Sequence, residues 1–265
     1  MKKVTVRTLQ KMKENGEKIS MLTAYDFSTA KYMDEAGLDM ILVGDSLAMT
    51  ALGYDSTNYI GMEEMMIFTK AVARGAQRSF VVADMPFMSV DVDLPTALTN
   101  IGNMIKCGAN AVKIEGESDY IEKVVEASVN MGAPVMGHIG FTPQSHNVLG
   151  GFVIQGKTDE AAEEILKQAK KLEKAGVFSI VLEMVPELVA KKITENLSIP
   201  TISCGGGRYC DGSVTVCDDM FGKYGEFSPK FTRKYGDMKK FILDCASKYN
   251  QDVKSCDYPN ENEIY

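Results

Sequence analysis

Short, nearly continuous apolar runs alternate along the chain with longer stretches whose apolar residues recur at helical spacing. The runs Ile19–Ala24, Met40–Gly44, Ser79–Ala83, Ala111–Ile114, Pro134–Gly137, Phe178–Leu182, Ile199–Ile202 and Ser213–Cys217 predict eight strands. Between them, amphipathic segments predict helices at Ser28–Ala36, Met62–Gln77, Leu94–Cys107, Tyr120–Met131, Asp159–Ala175 and Glu187–Glu195. Strands that are apolar throughout, rather than alternating, are the mark of parallel strands covered on both faces. The regular βα spacing favours a closed (β/α)8 TIM barrel over an open doubly wound sheet. An extra N-terminal helix is expected at Arg7–Glu14, and beyond Phe227 a C-terminal helix at about Asp237–Tyr249 followed by a polar tail. No linker or low-complexity tract interrupts the chain, so one barrel domain over residues 1–265 is the expectation.

Composition narrows the functional classes. At 265 residues, 45% hydrophobic and 25% charged, the chain has the apolar content for a large core without disulfide support. A net charge of −7 argues against a nucleic-acid binder. It also means that binding an anionic substrate needs a local cation, either a metal or a well-placed lysine. No apolar stretch reaches the ~20 residues of a membrane span, and the N-terminus lacks the core of a signal peptide. The 6 cysteines, none in a CxxC spacing, are expected to be reduced thiols of a cytoplasmic protein.

The chemistry is concentrated where strands end. Asp45 and Ser46 follow the second predicted strand, Asp84 the third, Glu115 the fourth, His138 the fifth and Glu183 the sixth. In a barrel these positions converge on the C-terminal mouth, where active sites are built. Four carboxylates there repel one another unless a cation is shared, and a hard divalent ion such as Mg²⁺ suits oxygen ligands, with one or two direct carboxylates and water completing its shell. Lys113 is two residues from Glu115, so the two side chains share a face, and an ammonium beside a metal suits a substrate carboxylate. The alternatives are plain. An acidic residue after a strand can cap the next helix, Lys113 can be a snorkelling surface lysine, and His138 can be a structural histidine. Glu183 is flanked by Leu182 and Met184. The segment Gly140–Gly156 is long for a βα connection and suggests a lid or binding loop. His146 within it is expected to be a loop residue, and Gly205-Gly206-Gly207 alone is a weak anion-binding signal.

Several ordered motifs carry a resemblance. They include Thr23-Ala24-Tyr25-Asp26, Leu42-Val43-Gly44-Asp45-Ser46-Leu47, Gly53-Tyr54-Asp55-Ser56-Thr57 and Ala83-Asp84-Met85-Pro86-Phe87-Met88. Val112-Lys113-Ile114-Glu115-Gly116, Gly137-His138-Ile139-Gly140-Phe141-Thr142-Pro143-Gln144-Ser145 and Leu182-Glu183-Met184-Val185-Pro186 continue the series. Together they resemble the ketopantoate hydroxymethyltransferases over nearly the whole chain. The resemblance implies transfer of a hydroxymethyl group from 5,10-methylenetetrahydrofolate to 3-methyl-2-oxobutanoate, giving 2-dehydropantoate for pantothenate synthesis through a Mg²⁺-stabilised enolate. It implies Asp45 and Asp84 as Mg²⁺ ligands, with Glu115 joining the metal shell. Asp45, Ser46, Asp84 and Lys113 would hold the keto acid, with His138 a secondary contact and Glu183 the general base. The family is typically a large homo-oligomer, so a homodecamer is expected, with no nucleic-acid or membrane partner.

The chain departs from the family pattern at Ser203-Cys204-Gly205-Gly206-Gly207, usually Gly-Ile-Gly-Ala-Gly, and at Asp218-Asp219, commonly His-Asp. Arg208-Tyr209-Cys210 is also unusual. These positions bear on the folate side of the pocket more than on enolisation. Two other readings fit the acidic mouth: a related Mg²⁺-dependent lyase or mutase acting on another 2-oxo acid, or a barrel that has lost folate chemistry and only binds or assembles.

Overall fold

The computed structural model describes residues 2–224 and 229–265; of the sequence expectations, the Phe227 boundary of the C-terminal region lies outside them. Two compact units divide the chain, Met1–Val216 and Cys217–Tyr265.

The first unit holds the barrel. Helix α1 (Val6–Glu14) is followed by β1 (Ile19–Thr23), α2 (Phe27–Glu35), β2 (Met40–Val43), α3 (Leu47–Thr50), α4 (Met62–Gly75) and β3 (Phe80–Asp84). Then come α5 (Leu94–Lys106), β4 (Ala111–Glu115), α6 (Asp119–Asn130), β5 (Val135–Gly140) and α7 (His146–Leu149). The unit ends with α8 (Asp159–Ala175), β6 (Ser179–Glu183), α9 (Glu187–Asn196), β7 (Thr201–Cys204) and β8 (Gly212–Thr215). The strands pair in parallel in sequence order and close, β8 against β1, into an eight-stranded barrel. The expected fold class is therefore the observed one.

Strand pleating determines what reaches the barrel mouth. Met21, Leu42, Val82, Ala111, Met136, Val181, Ile202 and Val214 form one buried cluster, joined by Val4 and by Leu9 of α1. Alternate residues such as Ala83, Val112, Ile114, Gly137, Ile180 and Leu182 are equally buried or pack on the surrounding helices, which explains the continuous apolar runs. Two residues beyond Val82, Ala111, Met136 and Val181, the same inward face presents Asp84, Lys113, His138 and Glu183. Glu115 lies two further along β4. Register sets these groups side by side, with Asp84 opposite Lys113 and Glu115 opposite His138.

Two expected strands are displaced. β7 begins at Thr201 rather than Ile199, because Pro200 has no N–H to offer a ladder; its carbonyl accepts from Ile180 N at 3.1 Å. β8 ends at Thr215, and Cys217 opens a short helix instead of ending the strand. The β7–β8 connection contains no helix among the described residues.

The second unit contains α10 (Cys217–Met220) and α11 (Met238–Lys254). The Asp237 side chain caps α11 by accepting from Lys240 N, and α11 runs five residues beyond the expected end at Tyr249. Asp218, one of the sequence departures, pairs with Lys223 at 3.2 Å. Among the described residues no helix is long and apolar enough to cross a membrane.

Candidate active site

The helix-capping alternative for the strand-end acids fails on inspection of the helices. The N-caps of α3, α5, α6 and α9 are Ser46, Asp93, Ser118 and Pro186. Asp45, Asp84, Glu115 and Glu183 instead converge at the mouth. Lys113 is no snorkelling surface group either, its side chain being 5% exposed.

Lys113 is the hub. Its ammonium lies 3.2 Å from Asp84 Oδ1, 3.8 Å from Glu115 Oε1 and 2.9 Å from His138 Nδ1. His138 extends the chain: Nδ1 is 3.4 Å from Glu115 Oε1 and Nε2 is 3.2 Å from Glu183 Oε2. On the other side, the Asp45 N–H donates to Asp84 Oδ2 at 3.0 Å, so the turn after β2 is tied to the end of β3. Ser46 Oγ is 2.9 Å from Tyr25 Oη, which also accepts from Thr23. Glu183 is the least enclosed of the carboxylates, with its side chain 15% exposed. The mouth thus has a deeply buried side, Asp45–Asp84–Lys113–Glu115, and a more open carboxylate reached through His138.

Electrostatics sharpen this division. Burial first, then the charges of Asp84 and Glu115, hold the Asp45 carboxyl well above the usual carboxylate range, with Lys113 and Gln144 opposing them only in part. Burial likewise raises Asp84 despite Lys113 beside it. For Glu115 burial also pushes upward, but the neighbouring His138 and Lys113, with the Gln144 N–H, leave it below its ordinary value. Burial would lower Lys113, yet the surrounding carboxylates, Asp84 foremost, hold it above its ordinary value and charged. For His138, burial and Lys113 lower the pKa, while Glu115 and Glu183 raise it further, to about 9. An imidazolium would nevertheless set two cationic donors 2.9 Å apart. The donor and acceptor roles at the Lys113–His138 contact depend on the imidazole tautomer, and Nε2 lies on the Glu183 side.

The residues suit a hard cation of the Mg²⁺ type. Asp84 Oδ1 and Glu115 Oε1 are buried and accept no hydrogen bond, although both lie within ion-pair reach of Lys113. The donors are carboxylate oxygens, and the raised Asp45 and Asp84 are under-compensated by one ammonium. Among the described residues, no group of three His, Cys, Asp or Glu side chains forms a ready-made metal cage. The fit is therefore to one or two direct carboxylates, with water or substrate oxygens filling the shell.

Gln144 is the residue that reading the strand ends missed. Its N–H donates to Glu115 Oε2 at 3.0 Å, and its side-chain amide donates to Asp45 Oδ2 at 2.8 Å and to Met85 O at 2.9 Å. It sits in a 3-10 turn, Pro143–Ser145, at the start of the long Gly140–Gly156 connection. That connection is pinned to the β6 end by Phe141 N to Glu183 O (2.8 Å) and Gln155 N to Met184 O (3.0 Å). His146, as expected, lies outside the carboxylate cluster, in α7, where it packs edge-on against Phe152. The Ser203–Gly207 departure forms a tight turn in which Ser203 Oγ accepts from Gly206 N at 3.0 Å, and Arg208 pairs with Glu187.

A closed parallel barrel that gathers an ammonium, an imidazole and four carboxylates at its C-terminal mouth defines a barrel enzyme. The sequence model of the ketopantoate hydroxymethyltransferases matches residues 3–261. Relatives named 3-methyl-2-oxobutanoate hydroxymethyltransferase include one from Caldicellulosiruptor saccharolyticus, 50% identical with all of both chains covered. Another, from Ignicoccus hospitalis, is 51% identical over 98% of each chain. The chain belongs to the ketopantoate hydroxymethyltransferase family, and it is a transferase. In fold it is similar to phosphonopyruvate hydrolase solved with oxalate and Mg²⁺ (TM-score 0.63, 11% identity, covering 98% of this chain and 93% of that one). It is also similar to 2,3-dimethylmalate lyase, of the PEP mutase/isocitrate lyase superfamily (TM-score 0.62, 13% identity, 99% and 92% covered).

Proposed function

We propose that the chain transfers a hydroxymethyl group from 5,10-methylenetetrahydrofolate to 3-methyl-2-oxobutanoate, forming 2-dehydropantoate in pantothenate synthesis. The observation that carries this reading is the separation of one more open carboxylate, Glu183, from a buried carboxylate–ammonium cluster, within a chain about half identical to enzymes of that name. Removing the proton next to a ketone needs a base on one side and a home for the developing oxyanion on the other.

Each side has its residues. Lys113 receives the substrate carboxylate, aided by Ser46 Oγ, whose direction is set by Tyr25. Asp45 and Asp84 would hold Mg²⁺, with Glu115 joining its shell. Bound there, the metal would supply Lewis-acid stabilisation of negative charge on the keto oxygen. Glu183 takes the C3 proton, with His138 Nε2 its neighbour at 3.2 Å from Oε2. The carbon nucleophile so formed attacks the methylene carbon of the folate, and water then replaces the remaining folate nitrogen on that carbon, giving the hydroxymethyl group and free tetrahydrofolate. The rim at Ser203–Gly207 lies beside Glu183 through the Glu183–Gly205 bridge. The expected assembly is a homodecamer, with a reducing cytoplasmic setting for the cysteines.

The test is product formation. The protein with Mg²⁺, 3-methyl-2-oxobutanoate and methylenetetrahydrofolate should yield 2-dehydropantoate by mass spectrometry, and chelation should abolish it. Absence of product with all components present would contradict the transfer.

A further inference from the structure

We infer that Gln144 is a positioning residue for the metal side of the site, fixing the orientation of Asp45 and Glu115 at once; this rests on the metal reading above. Four hydrogen bonds converge on this one residue. Its backbone N–H holds Glu115 Oε2, its side-chain amide spends both hydrogens on Asp45 Oδ2 and Met85 O, and its carbonyl accepts from Asn58 Nδ2 at 3.0 Å. The ends of β2, β3 and β4 and the 3-10 turn Thr57–Tyr59 are thereby tied to a single side chain and its peptide.

The chemistry of the contacts makes the amide specific. A carbonyl and a carboxylate oxygen both accept, so the group between them must donate twice, as only the amide nitrogen of Gln144 does. With Asp45 Oδ2 held by Gln144 and Glu115 Oε2 held by the Gln144 N–H, each carboxylate keeps its other oxygen off Gln144, that of Glu115 lying 3.8 Å from the Lys113 ammonium. Glu115 Oε1 is one of the buried oxygens that accepts no hydrogen bond.

The turn that carries Gln144 is itself rigid. Phe141 is fully buried and hydrogen-bonded to Glu183 O, and Ser145 N closes on Thr142 O at 2.9 Å. Positioning by such an outer partner typically contributes ~10–100-fold in metal affinity.

Gln144→Met keeps side-chain volume and the backbone N–H but removes both amide donors. Titration of the full-length protein with MgCl₂ in a calorimeter, without substrate, reads its effect. The expected result is Mg²⁺ affinity ~10–100-fold weaker than wild type, with the KM for keto acid raised more than kcat is lowered. Gln144→Asn, which retains the amide but is one methylene too short to serve both acceptors, should fall between the two. It carries the test should the Met variant fold poorly. Mg²⁺ affinity equal to wild type in both variants would overturn the role of Gln144 while leaving the metal reading intact. Failure of the wild-type protein to bind Mg²⁺ at all would overturn both.

Discussion

At the scale of single residues, Lys113 carries the heaviest electrostatic duty. It is the only cation within ion-pair reach of both Asp84 and Glu115 among the described residues. Removing one partner of a buried charge cluster leaves the others uncompensated, at a cost of about 3–5 kcal/mol. Lys113→Met is therefore expected to lower unfolding stability by about that amount in denaturant titration and to raise the KM for the keto acid sharply. Gly140 is a backbone counterpart. Its φ is +94°, and a Cβ there would sit 2.3 Å from Glu183 O and 2.7 Å from Val185. Gly140→Ala should lose about 1–3 kcal/mol through strain alone, and it should slow proton abstraction by displacing Glu183. Unchanged stability would show that the loop relaxes freely. Lys113, Glu115 and Glu183 were legible because strand periodicity puts them on the inward face. Gln144 was not, since a lone amide in a turn carries no periodic signal, and only the meeting of three strand ends reveals its partners.

At the scale of elements, capping contacts connect the outer helices to the barrel. Asp34 near the end of α2 accepts from Gln77 N, Arg78 N and Ser79 N at 3.1, 3.0 and 2.6 Å, ordering the entry to β3. Partial burial would raise its pKa, but these hydrogen bonds, Ser79 first, outweigh that and lower it. The sign follows: the unfolded chain binds the proton more readily. Asp34 thus stabilises the fold fully above its unfolded pKa of about 3.9, and the contribution fades as pH falls through the lower folded value. Asp34→Asn should lose about 1.5–3 kcal/mol at neutral pH, and the difference from wild type should shrink below about pH 4. A pH-independent difference would contradict the charge-assisted cap. The six predicted helices between strands and the first six strands were legible from period and strand composition, usually to within one or two residues. β7 and β8 were misplaced for local reasons, Pro200 at one and the helix opening at Cys217 at the other. The short helices α3 and α7 were missed because four residues cannot display a helical period.

At the scale of the whole molecule, a closed parallel barrel turns alternation along each strand into convergence in space. The apolar layers from Met21 to Val214 fill the interior, and the next inward layer is polar because it meets the mouth. That rule let the sequence indicate both the barrel and the residues at its active end. The rim between β7 and β8 was less legible, since its conformation depends on tight turns such as Ser203–Gly206. The central claim is that the buried cluster and Glu183 together remove the C3 proton of 3-methyl-2-oxobutanoate. Proton NMR in D₂O follows that step directly. Wild-type protein with Mg²⁺ should exchange the C3 proton without folate, and Glu183→Gln should bind Mg²⁺ and keto acid yet lose the exchange. No exchange by the wild type, or normal exchange by Glu183→Gln, would contradict the account.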